Sequence, residues 1–156
     1  MLRAVFATLI LGGLLTPGLR ADNDYKFVDQ AGDEIILPRD VPVYTRENPG
    51  PWKKTLGTHE PRIKTRVRKA GLEAIRVLDV TVPHPMGTEN EEEGLIERIY
   101  VTDKDGLMIG YYKFSEADKR AEARMLINGN INYFEIFVQC SRHGMWRSNY
   151  RIDLSK

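Results

Sequence analysis

"EAIRVLDVTV", residues 73 to 82, alternates apolar and polar side chains and sets the period of this chain at two. Side chains of that period fall on opposite faces of a strand, so Ile75, Val77 and Asp79 are expected to share one face. The text on either side is of the same kind. "IKTRVRK" (63–69) alternates weakly, while "LIERIYV" (95–101), "LMIGYYKF" (107–114), "NINYFEIFVQC" (130–140) and "WRSNYRIDL" (146–154) are rich in β-branched and aromatic residues. Asp103-Lys104-Asp105-Gly106 and Asn128-Gly129 read as hairpin connections, because their Gly or Asn accepts the positive φ of a tight turn. Only "EADKRAEAR" (116–124) has a helical composition. About seven short strands at regular spacing predict an all-β fold, an immunoglobulin-like seven-stranded antiparallel β-sandwich.

The remaining text frames that unit. At 156 residues and 42% hydrophobic the chain suits one domain. Its 23 basic and 22 acidic side chains leave a net charge of +1, so no global field argues for nucleic acid or an anionic membrane as partner. Residues 1–21 combine Arg3, an apolar stretch from Ala4 to Leu15 and a small residue at Ala21, the pattern of a signal peptide. The expected location is therefore periplasmic or secreted. Residues 22–55 read as an N-terminal arm, with a small hairpin around Gly32 and a Pro-rich irregular stretch from 38 to 54, and residues 56–156 as the sandwich.

Chemistry-bearing residues are scarce. Cys140 is the single cysteine, so it forms no internal disulfide, and three residues on stands His143, one of three histidines. The others are His59 in "THEP" and His84 in "PHPM"; each of the three has proline, which fixes the local backbone, or glycine, which permits close approach, within two residues. A thiolate with imidazoles suits iron, copper or zinc and disfavours magnesium or calcium. The spacing by itself leaves ordinary surface or capping histidines as an equal reading.

Four pieces in order, "THEPRI" (58–63), "VPHPM" (82–86), "EGLIERIYV" (93–101) and "CSRHGMW" (140–146), resemble the motif set of the superoxide reductase family, the iron domain of neelaredoxin and desulfoferrodoxin. The resemblance spans about residues 52 to 154. It implies an immunoglobulin-like sandwich holding one mononuclear non-haem iron, Fe(2+)/Fe(3+), with superoxide as substrate and an external electron donor protein. By motif position it implies His59, His84 and His143 as imidazole ligands and Cys140 as axial thiolate. It also implies a homo-oligomer.

The chain departs from the family in two places. Where the family has Glu-His-Tyr-Ile, this sequence reads Glu93-Gly94-Leu95-Ile96, so the fourth histidine is absent; Glu89, Glu91, Glu92 and Glu93 are carboxylates that could close the sphere, against the plainer reading of a solvated acidic loop. The family's Glu-Lys pair is here Gly57-Thr58, with Lys53 and Lys54 nearby as catalytic stand-ins for that lysine. Two further readings stay open: a copper-type electron-transfer module, and a thiosulfate-carrier-like or metal-free binding scaffold. Arg98, Arg142 and Arg147 are read as ordinary exposed arginines, and Trp146 as a core anchor behind the ligand loop.

Overall fold

The computed structural model describes residues 27–28, 32–38, 40–86 and 94–151. A two-residue hairpin, β1 (Phe27–Val28) with β2 (Glu34–Ile35), comes first, and β3 (Val43–Tyr44) follows. A 3-10 segment at Gly50–Thr55 runs into one helical turn, α1 (Leu56–His59). Seven longer strands complete the described chain: β4 (Arg62–Ala70), β5 (Glu73–Pro85), β6 (Ile96–Asp103), β7 (Met108–Lys113), β8 (Arg120–Asn128), β9 (Tyr133–Cys140) and β10 (Gly144–Arg151). They form two main sheets, one in the order β3-β10-β9-β6-β7 and one in the order β4-β5-β8. All pairings are antiparallel except the short β3–β10 contact, which is parallel.

The core lies between these sheets. Leu78, Val80 and Val82 of β5 and Ala121, Ala123, Met125 and Ile127 of β8 meet Ile96, Ile99 and Val101 of β6 and Phe134, Ile136 and Val138 of β9. Burying a side chain of this size contributes roughly 1.5–3 kcal/mol, so this layer supplies much of the driving force. The alternation on β5 holds, with Ile75, Val77 and Asp79 on one face; the other face, carrying Leu78, Val80, Val82 and His84, is the one turned to the opposite sheet. Apolar side chains on both faces hide the parity of this strand, and Asp79 settles it. Its carboxylate lies between Arg66 and Arg124 of the flanking strands, 2.6 Å from Arg124 Nε.

Three expectations are corrected. Residues 120–124, expected to be helical, lie in β8, where charged Arg120, Glu122 and Arg124 alternate with buried Ala121 and Ala123. Helix propensity there yields to the burial of a two-residue period. Asn128-Gly129 does not close a hairpin, because β8 and β9 belong to different sheets. It carries the chain across the sandwich instead, with Gly129 N–H donating to Ala74 O at 2.7 Å and Arg76 Nη2 to Gly129 O at 3.0 Å. A Cβ on Gly129 would lie 2.5 Å from Ala74 Cβ, which accounts for glycine at this crossing. The Pro-rich arm is not wholly irregular either. Its Val43–Tyr44 pairs with Met145 and Trp146, and Tyr44, Trp52 and Leu56 pack on the core. The signal-like residues 1–21 and the acidic stretch 89–93 lie outside the described residues. Among the described residues no helix is long and apolar enough to cross a membrane.

Candidate metal centre

Each of the four scarce side chains reaches one end of the sandwich for a local reason. His59 ends α1, where Glu60 N–H closes the turn onto Leu56 O at 3.2 Å. His84 sits where β5 leaves its partner: β8 pairs with Val82 and next with Pro85. Pro83 and Pro85 have no N–H to donate to a ladder, so the pairing breaks around His84, while the inward parity of Leu78, Val80 and Val82 carries on to it. Cys140 closes β9 on that strand's buried face. The turn to β10 holds His143, and Cys140 pairs with Gly144, which takes φ +75°. That left-handed backbone makes so short a reversal possible.

The four meet. His59, His84, Cys140 and His143 each offer one donor atom, and these atoms lie within 4.8 Å of one another. All four are buried, none more than 8% exposed. His59 Nε2 is 2.9 Å from His143 Nδ1, Cys140 Sγ is 3.3 Å from His143 Nδ1, and Sγ is 3.9 Å from His84 Nε2. The ring centroids of His59 stand 4.6 Å from those of both His84 and His143, which are 6.2 Å from each other. This triangle has nearly a right angle at His59, so the rings occupy three corners of a square rather than an equilateral face.

Second contacts fix which nitrogen faces inward. His59 Nδ1–H donates to Thr55 O at 2.9 Å, and His84 Nδ1–H donates to Pro85 O at 2.7 Å, leaving each Nε2 lone pair turned to the cluster. A carbonyl acceptor behind the ring is the usual device that orients a metal-binding histidine. Trp146 stacks on His59 at 5.0 Å and 22°, and Trp52 meets His143 edge-on at 4.6 Å. Burial holds His59 down at about 4, with the Thr55 carbonyl opposing and the other two imidazoles adding to the shift. Burial pushes the Cys140 thiol up, and the backbone N–H groups of Arg142 and His143 hold part of that shift back. Without an ion His59 and Cys140 are therefore both neutral.

The donor set fits a transition metal. Nitrogen and sulfur donors bound at about 2.0–2.3 Å from one ion stand roughly 3–4 Å apart when adjacent, and the three separations of 2.9, 3.3 and 3.9 Å lie in or at the edge of that range. Soft thiolate with imidazole selects iron, copper or zinc over the hard cations.

The other sequence candidates lie around this cluster. Gly94 takes φ +74° against the ligand turn, where a Cβ would come 2.6 Å from Arg142 Cγ and 2.7 Å from Ser141 Oγ. Leu95 N–H donates to Ser141 Oγ at 3.0 Å and Ser141 N–H to Leu95 O at 2.9 Å, which clips this segment to the same turn. Lys53 and Lys54 are exposed, on the segment whose Trp52 touches His143. Arg142 and Arg147 are exposed, whereas Arg98 is half-buried and donates to Gln139 Oε1 at 3.4 Å. Sequence reasoning missed the supports of the histidines: Thr55 and Pro85 act through backbone carbonyls, which leave no mark in residue type, and Thr58 through its hydroxyl.

No family model and no curated protein matches the chain. Solved structures do. The superoxide reductase (neelaredoxin) of Ignicoccus hospitalis superposes with a TM-score of 0.54 at 20% identity, over 71% of this chain and 94% of that one. A single-residue variant of it gives 0.57 at 19% identity, over 71% and 93%. A candidate superoxide reductase from Thermotoga maritima gives 0.52 at 22% identity, over 78% and 100%. The chain has the superoxide reductase β-sandwich fold, with a buried cluster of three histidines and one cysteine at one end.

Proposed function

We propose that the chain is a non-haem iron protein that reduces superoxide to hydrogen peroxide outside the cytoplasm. The observation that carries this reading is the convergence of His59, His84, Cys140 and His143 within 4.8 Å inside a sandwich shared with superoxide reductases. The iron, when bound, supplies one electron, which an external donor replaces; each superoxide takes that electron and two protons and leaves as hydrogen peroxide. The protein's part is to hold three neutral imidazoles and one thiolate without rearrangement. The thiol must lose its proton to bind, so metal uptake releases a proton and tightens as pH rises. Lys53 and Lys54, exposed beside Trp52, serve to draw the superoxide anion toward this end of the molecule.

The test is anaerobic loading of the mature chain with ferrous iron, followed by superoxide exposure. The expected result is superoxide consumed with hydrogen peroxide formed and no oxygen evolved. The oxidised protein should show a visible thiolate band that is lost in Cys140→Ala. Uptake of one copper with an intense blue band, or superoxide left untouched by the iron-loaded chain, sinks the reductase reading and favours an electron-transfer or carrier module. N-terminal sequencing of the exported protein tests the location: the expected start is near Asp22, and an intact Met1 overturns it.

A further inference from the structure

Thr58 stands where the resembled family carries a lysine that serves the substrate, yet its side chain turns the other way. Thr58 Oγ1 lies 2.8 Å from Thr55 O and 3.0 Å from His59 Nδ1. The hydroxyl proton goes to Thr55 O, the one acceptor of the pair that carries no hydrogen. The hydroxyl oxygen then faces the ring with its lone pairs and gives the Nδ1–H a second acceptor beside Thr55 O at 2.9 Å. A ring shared between two acceptors is held in one tautomer and one orientation. Its Nε2 is thereby aimed at the cluster, 2.9 Å from His143 Nδ1.

We infer that Thr58 is a positioning residue for His59, acting on the ligand side of the metal site and not on the substrate side. This rests on the reading of His59 as a ligand, though not on what the loaded site does. His84 is tied by a backbone carbonyl, whereas Thr58 is a side chain that can be altered without disturbing the backbone. Outer contacts of this kind typically change metal affinity by about 10–100-fold when removed.

The test uses the full metal-free chain titrated with cobalt(II) against a chromophoric chelator, with the thiolate-to-cobalt band recorded alongside. Thr58→Val keeps the side-chain shape and removes the acceptor, and is expected to bind cobalt about 10–100-fold more weakly with a shifted band. Thr58→Ser restores the oxygen and is expected to return both toward the unaltered chain. Urea unfolding of the metal-free Thr58→Val protein should match the parent, which separates ligand positioning from general damage. Thr58→Val binding within twofold of the parent with an unmoved band overturns the inference, as does Thr58→Ser binding as weakly as Thr58→Val, or a parent chain that takes up no cobalt. Threonine-dependent cobalt binding by a chain whose iron form leaves superoxide untouched supports the inference and sinks the reductase reading alone.

Discussion

His59 Nε2 and His143 Nδ1 stand 2.9 Å apart although 84 residues separate them along the chain. Nothing local brings them together; α1 and the β9–β10 turn are delivered to one place by the packing of the two sheets. Trp146 completes the arrangement, stacked on His59 and buried among the core residues.

Replacing Trp146 by alanine is therefore expected to cost about 3–5 kcal/mol of stability, the range for a buried tryptophan that leaves a cavity. Phenylalanine should cost distinctly less, because it keeps a ring against His59. Urea denaturation of the metal-free protein measures both, and an alanine variant unfolding at the parent's midpoint contradicts the packing described.

Gly94→His is the direct attempt to supply the absent fourth histidine, and it is expected to fail. The left-handed backbone at φ +74° and the approach to Arg142 and Ser141 leave no room for a side chain without moving the ligand turn. The variant should lose about 1–3 kcal/mol and bind cobalt no more tightly than the parent. A stable variant with tighter binding would show that the turn accommodates the ring.

The metal-free chain should lose stability in mild acid. An unfolded histidine takes up a proton near 6.5, whereas His59 in the fold resists until about 4. Between those values the unfolded state binds the extra proton, so stability falls as pH drops through this window and levels off below it. The loss from His59 alone is on the order of 3 kcal/mol. Denaturation midpoints at pH 7, 5 and 4 measure it, and a flat profile in the metal-free protein argues against a buried neutral His59.

The sequence shows the site better than the fold around it. Cys140 and the three histidines stand out because so few such residues exist here and because proline or glycine lies within two residues of each histidine; all four converge. Strand existence is equally legible from period two. Less legible is what depends on partners far away in the chain. The parity of β5 is ambiguous because both faces carry apolar side chains, and only the sheet opposite decides that Leu78, Val80 and Val82 go inside. The stretch 116–124 has helical composition, and its alternation of Ala121 and Ala123 with charged neighbours takes effect only once a core exists to receive the alanines. Asn128-Gly129 has hairpin chemistry, but sheet membership is a property of the whole topology.

The four donors do not come from one sheet. His84 belongs to β5 of the three-stranded sheet and His59 ends the turn that feeds β4, whereas Cys140 and His143 sit on the β9–β10 hairpin of the five-stranded sheet. An ion gripped by all four is thus a cross-link riveting the two halves of the sandwich at one end. Like a disulfide closing a long loop, it restricts the unfolded chain between residues 59 and 143 and so resists separation of the sheets. Occupancy of the site and breathing of the sandwich become a single linked equilibrium, with amide exchange in β5 and β9 slowing together as the metal is taken up.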